Sequence, residues 1–363
     1  MDRRPPSIPS LTRRDFQFSL GRLLVAMTLC AVVFAFRLPT FYTVWAVVAT
    51  LMVALFSDWS VWHQVRAGSA LRARDYGRAI EAFSKAIRAK PEDPERYCHR
   101  AVAHQWNEDL DAARADYARA VDLDTRYAPA WIGRANVALA QGDLERAVDD
   151  ATIALCLAPG SLDALLVRST ACYGLGRLDD ALADAEEAVR SAPEHWQPWN
   201  HRAGILLSAR RHEAALADLD EAVRLGAPSR DLLAARSLAL FRLGRHDEAF
   251  RGIEACLADD PRSPHARCIL AWFLATCPDD SLRDGRRALE IARSVEPTDD
   301  GGAFARANSL AAACAEMGYF DEAIEHARRA LDLAPAAARA VCELRLATYR
   351  AGQPYRDLGQ GPA

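Results

Sequence analysis

The sequence predicts an all-α protein, an α-solenoid of about eight helix-turn-helix repeats with a capping helix, behind an N-terminal transmembrane helical hairpin. Three observations lead there. A 34-residue period runs without a gap from residue 60 to residue 263, each period splits into two stretches of helical spacing, and two apolar stretches precede the first period. A lone helical hairpin of this size cannot bury its apolar face, so successive copies have to stack.

Residues 1–15 carry Arg3, Arg4, Arg13 and Arg14 and read as a flexible basic leader. The apolar stretches follow at 16–36 and 38–57, broken around Arg37 and Pro39. A spanning helix needs ~20 mostly apolar residues, and the second stretch meets that length from Leu38 to Ser57. The first meets it with Gln17, Ser19 and Arg22 at the interface and Arg22 reaching toward the headgroups. Basic residues mark the cytoplasmic flanks of membrane spans. Four arginines precede the first span and Arg66, Arg72, Arg74 and Arg78 follow the second, whereas the turn holds only Arg37. The expected topology places both ends, and the repeats with them, on the cytoplasmic face of a bacterial inner membrane. A single span would instead put the repeats outside the cytoplasm. A cleaved signal peptide lacks a small-residue cleavage site before the second apolar run.

The period is clearest at 128–161. Trp131, Ala135 and Ala138 share one helical face, and Leu144, Ala147, Ala151 and Ala154 share another. Gln141-Gly142-Asp143 makes the turn between them, and Pro159-Gly160 stops the second helix. The regular units are 60–93, 94–127, 128–161, 162–195, 196–229 and 230–263. One small-residue column runs through Ala67, Ala101, Ala135, Ser169, Ala203 and Ser237, and a second through Ala79, Ala113, Ala147, Ala181, Ala215 and Ala249. These columns resemble the tetratricopeptide repeat (TPR). The motif's bulky residue is matched by Tyr97, Trp131, Leu165, Trp199 and Leu233, and its turn glycine by Gly142, Gly176 and Gly244.

Residues 264–303 form a degenerate seventh unit with five residues inserted around Cys277-Pro278-Asp279-Asp280, and 304–337 return to the pattern. Residues 338–351 read as a capping helix and 352–363 as a polar, frayed tail. The stretch from Ala271 to Tyr355 also resembles the C-terminal part of certain bacterial repeat proteins of unassigned function. Those carry an "AW-LATCPD…DG" insertion and end in "YRAG-PYR", a likeness that implies the fold alone.

Composition narrows the function. A net charge of −4 gives no general attraction to nucleic acid, so none is expected as a partner. The nine cysteines are odd in number and include no CxxC pair, which argues against a disulfide framework or a metal site and fits a reducing compartment. No nucleophile elbow, phosphate loop or dinucleotide fingerprint occurs. No cofactor and no catalytic residue are expected, and the stretch after residue 337 is too short for a catalytic domain.

Two constellations remain. Arginine recurs at the seventh place of each regular unit, and four of these arginines have an aspartate sixteen residues on: Arg100 with Asp116, Arg134 with Asp150, Arg168 with Asp184, Arg202 with Asp218. The matched counter-charge predicts a structural ion-pair ladder rather than an anion site. The second constellation comes from the resemblance, which implies a concave groove lined by first-helix positions. Carried over, these are Cys98, Val102, Gln105 and Trp106, then Ile132, Asn136 and Leu139. Leu166, Thr170, Tyr173, Asn200 and Leu207 continue the row, which ends at Leu238, Phe241 and Arg242. Trp106, Tyr173 and Phe241 are its expected aromatic anchors. The family's lysine–asparagine pattern for chaperone tails is missing. The expected function is a membrane-anchored protein–protein interaction scaffold that holds a partner peptide in this groove. A peptide-responsive regulatory solenoid, or a single-span protein acting outside the cytoplasm in envelope assembly, are the alternatives.

Overall fold

The computed structural model describes residues 69–358, apart from 72, 228, 297–299 and 335–337. The leader, both expected spans, Arg66 and Ala67 lie outside the described residues. Among the described residues no helix is long and apolar enough to cross a membrane. Sixteen α-helices and one 3-10 turn make up the described chain, which contains no strand. They alternate as the paired helices of a repeat solenoid. The chain divides into two units, one up to Val137 and one from Ala138.

The first unit holds α1 (Tyr76–Ala89), α2 (Pro94–Trp106), α3 (Leu110–Leu123) and most of α4 (Ala128–Ala140). Aspartates start its helices by taking up amides that have no partner within the helix. Asp75 accepts from the Arg78 amide and Asp109 from the Ala112 amide, each at 3.1 Å. Asp93 caps α2, whose first residue is proline, the one position where a missing N–H costs nothing. Ala101, Ala113 and Ala120 have no exposed surface and let the helices close on the Tyr117 ring. Gly133 is required there: a Cβ on it would fall 2.1 Å from that ring.

The second unit continues with α5 (Leu144–Leu157), α6 (Leu162–Gly174), α7 (Leu178–Ser191) and α8 (Trp196–Ser208). Next come α9 (His212–Arg224), α10 (Ser229–Arg242) and α11 (His246–Asp259). The expected small-residue columns are its spine, with Ala147, Ala181, Ala203, Ala215 and Ala249 all fully buried. Ser169, in the same column, donates its hydroxyl to the Ala181 carbonyl at 2.7 Å. The turn inside each regular repeat needs a left-handed residue, which is why glycine recurs. Gly142, Gly176, Gly244 and Gly318 have φ near 75–79°, but Arg74, Glu108 and Arg210 occupy the same place at 58–63°.

The seventh unit departs from the pattern. Its α12 (Pro264–Thr276) is buried continuously from Cys268 to Cys277, so it is core on nearly every side. A 3-10 turn at Asp280–Leu282 and a short α13 (Gly285–Arg293) follow. The insertion is a folded connection. Arg283 donates to the carbonyls of Cys277 and Pro278 at 2.7 and 3.1 Å, and the Asp284 amide donates to the Leu274 carbonyl at 3.0 Å. The eighth pair is α14 (Asp300–Glu316), which begins inside the stretch assigned to the seventh unit, and α15 (Phe320–Asp332). The capping helix is α16 (Arg339–Arg350).

The tail differs from expectation. Instead of fraying after Gly352, it turns back onto α12, where Asp357 is 1% exposed and its amide donates to the Thr276 carbonyl at 3.0 Å. Arg356 donates to Glu316 at 2.6 Å, and Arg283 of the insertion donates to the other oxygen of that carboxylate at 3.1 Å. The tail is held because the charged side chains of Arg356 and Asp357 both meet partners. The strings resembling "LATCPD…DG" and "YRAG-PYR" are thus two sides of one contact.

Burial holds His99, His201, His212 and His326 below the ordinary imidazole pKa. As pH falls below the unfolded value of ~6.5, the unfolded chain takes up protons that the folded chain refuses. This contribution to stability is therefore complete above that pH and lost on acidification toward the folded values. Urea unfolding is expected to show a lower midpoint at about pH 5.5 than at about pH 7.5; equal midpoints would contradict it.

Candidate functional site

The arginine column forms ties between helices. Arg100 donates from Nε and Nη2 to the two oxygens of Asp116 at 2.7 and 2.6 Å, Arg168 to Asp184 at 2.8 and 2.6 Å, and Arg202 to Asp218 at 2.7 Å twice. These bonds raise each guanidinium's pKa, burial opposing them. Arg134 and Asp150 lie in different units. The Arg134 guanidinium stands 4.5 Å from the centre of the Trp131 ring, and Asp150 is buried.

The sequence reading missed a second contact made by two of these arginines. Arg100 also donates to Ser84 at 3.0 Å and Arg168 to Thr152 at 3.3 Å, both sixteen residues back on the preceding repeat. Arg236, whose forward place is Gly252, turns wholly backward to Asp220 at 2.7 Å. Counting sixteen residues in both directions would have found this.

The expected groove positions fare unequally. In the first unit, Cys98 is core rather than groove: it is 7% exposed and burial pushes its thiol up to about 12. Val102 packs against the same cluster. Gln105 accepts from the Tyr117 hydroxyl at 2.7 Å, Trp106 stacks on Tyr76 at 6.4 Å, and Asn136 donates to the carbonyl of Ile132 at 3.1 Å. In the second unit, Leu139 lies partly buried beside Ala138, Thr170 donates to the Leu166 carbonyl at 2.7 Å, and Asn200 is half-buried. Phe241 is no anchor. It is 1% exposed because the apolar α12 covers it, with Phe273 stacked flat on it at 4.1 Å.

Tyr173, Leu207, Leu238 and Arg242 do come together. They line a cavity of about 330 Å³ in the second unit, together with Ser208, Arg210 and His212 and with residues of α12, α14 and α16. The Tyr173 hydroxyl and Ser208 hydroxyl are 2.7 Å apart at one side. Arg242 donates to Asp357 at 2.7 Å, and the Trp272 indole N–H donates to the other oxygen of that carboxylate at 2.9 Å. Burial presses the Arg242 pKa down, against the pull of Asp357. Arg345 lies 4.2 Å from the Trp272 ring centre and 5.2 Å from that of Tyr355, and donates to Asn308 at 3.0 Å. Trp272, Arg345 and Asp357 were invisible to a reading based on the 34-residue register, since they lie in the degenerate unit, the cap and the tail.

This arrangement can hold an extended apolar segment with polar anchoring. Burial mutes two thiols of the second unit, pushing Cys268 and Cys314 up to about 11. Among the described residues no group of three or more His, Cys, Asp or Glu is placed to hold a metal.

Comparison with known proteins agrees with this geometry. Sequence profiles described as tetratricopeptide repeat match residues 65–104, 98–164 and 166–230, and a further one matches 307–336. Together they cover more than half of the chain. Serine/threonine-protein phosphatase 5 of Rattus norvegicus is 30% identical over 101 residues, 28% of this chain and 20% of that protein. Small glutamine-rich tetratricopeptide repeat-containing protein 2 of Mycosarcoma maydis is 32% identical over 80 residues, 22% of this chain and 23% of its own. The chain thus spans about a fifth of the length of these curated relatives. Among solved structures, a tetratricopeptide repeat protein from Parabacteroides merdae superposes with a TM-score of 0.56 at 17% identity, covering 71% of this chain and 98% of that one. PilW, described as a type IV pilus biogenesis factor, gives 0.55 at 17% identity over 59% and 99%. At these identities the structures are alike in fold alone.

Proposed function

The chain belongs to the tetratricopeptide repeat family, whose repeats mediate protein–protein interaction, and from that premise we propose that it is a membrane-anchored interaction scaffold. It has no enzymatic activity of its own. The N-terminal hairpin, 16–36 and 38–57, fixes it in a bacterial inner membrane with the repeats in the cytoplasm. The repeats hold a segment of a partner protein on their first-helix face. The observation that carries the reading is the cavity, where Tyr173, Leu207, Leu238 and Arg242 from successive first helices line one space. Apolar walls with a few fixed polar groups are what a recognised peptide needs.

The test is made on the full-length chain in its membrane. A photo-crosslinking residue in place of Leu238 is expected to trap a discrete partner, and the same residue at exposed Ile153 on α5 is not. No product from position 238, or equal products from both, would end the interaction reading. In the same cells an alkaline phosphatase fused after Ala363, beyond the docked tail, is expected to stay inactive. Activity there would reverse the topology.

A further inference from the structure

The charge of the cavity lining narrows what it holds. Apolar side chains, Leu207, Leu238 and Ile269 among them, alternate with Arg210, Arg242, Arg345 and two histidines, and no carboxylate lines the space among the described residues. Asp357 answers Arg242 from behind. Arg345 has no such answer: its described contacts are two aromatic rings and the neutral amide of Asn308. A half-buried guanidinium without a carboxylate has lost hydration that nothing returns. Stacking has already fixed its planar fork, which suits two-point contact with a carboxylate.

Two further features face the same space. His212 is 7% exposed and both of its ring nitrogens lack a partner, which is uncommon for buried polar atoms. Arg210 holds a left-handed backbone at φ 60°, where Gly142, Gly176 and Gly244 take that place in other repeats, and its side chain lines the cavity. A conformation that disfavours side chains is kept where it brings a cation to the site.

We propose that the cavity binds a partner segment that presents an internal glutamate or aspartate between apolar side chains. The carboxylate meets Arg345, with Arg210 and His212 in the same lining, and the flanking residues pack on Leu207, Leu238 and Ile269. The chain already uses this chemistry on itself, since its own Asp357 sits on Arg242 and Trp272. The acid is internal because the lining is drawn from a row of helices, α6, α8, α10, α12, α14 and α16, so the occupant crosses the row. This inference rests on the interaction reading above.

The probe is a display library of random short peptides, selected on the full-length chain in detergent. Selected peptides are expected to share one acid with apolar neighbours. Changing that acid to its amide is expected to weaken binding about tenfold. Arg345→Met is expected to erase the difference between acid and amide, and so is Arg210→Asn, which changes an exposed side chain to one that tolerates the left-handed backbone. Peptides selected without an acid, or indifferent to its amide, would overturn the ligand class and leave the interaction reading standing. A difference that survives in both variants would overturn the assigned residues. No selected peptide, or peptides that bind Leu238→Glu as well as the parent, would overturn both inferences.

Discussion

Asp357→Ala is expected to cost the C-terminal end of the protein about 3–5 kcal/mol, the range for breaking a buried ion pair by removing one partner. The carboxylate is 1% exposed and accepts from Arg242 at 2.7 Å and from the Trp272 indole at 2.9 Å. Without it a guanidinium only 18% exposed and a buried N–H both lose their acceptor. Repeat proteins are stabilised by neighbour contacts, so the loss should stay near the end where it is made. Hydrogen exchange is the fitting measurement: amides of α12 and α16 are expected to exchange on the order of a hundred to several thousand times faster, with those of α2 and α3 unchanged. Unaltered protection in α12 would show that the tail contributes nothing to the fold.

Asp184→Ala is expected to cost less, on the order of 2–3 kcal/mol, and to act in the middle of the stack. Asp184 is 9% exposed in its side chain, but Arg168 keeps 27% and recovers part of its hydration when the pair is broken. Glu221→Ala supplies the contrast. Glu221 pairs with Arg224 through a bond as short as those of the ladder, but here the guanidinium is 68% exposed and the carboxylate 28%, against 27% and 9% in the ladder pair. Its removal is expected to leave the urea midpoint unchanged, because solvent screens exposed pairs and side-chain entropy offsets them. Equal midpoints for Asp184→Ala and the parent would show that the ladder does not stabilise the stack.

Features set by local periodicity could be read from the sequence. The alanine columns, the turn glycines and the spacing of Arg100, Arg168 and Arg202 from their aspartates all follow from a 34-residue register, and each is where that register puts it. The register failed where a position's fate depends on what lies against it. Phe241 shares a column with Tyr173 and Leu207, which line the cavity, but its neighbour is the all-round apolar α12. The rear of the cavity was hidden for a related reason. Arg242 and Asp357 are 115 residues apart, and no periodicity links a repeat to a tail that folds back onto it. The cavity was therefore half legible: four residues on its repeat side were expected, and none on its cap side.

The contact between the insertion and the tail also bears on how such proteins can be recombined. Whole repeats can be gained or lost between Gly142 and Arg210 with the register intact, since each rung involves only adjacent copies. The end behaves differently. Trp272, Thr276 and Arg283 lie more than sixty residues upstream of the tail segment 355–357, yet both sides dock together, directly or through the shared Glu316. A chimera that inherits one without the other would bury an unanswered indole or leave a tail with nothing to dock on. Residues 241–358, which include the Arg242 that pairs with Asp357 and the Phe241 that stacks on Phe273, are in that sense a single transferable cassette, which a lineage or a protein engineer must move as one piece.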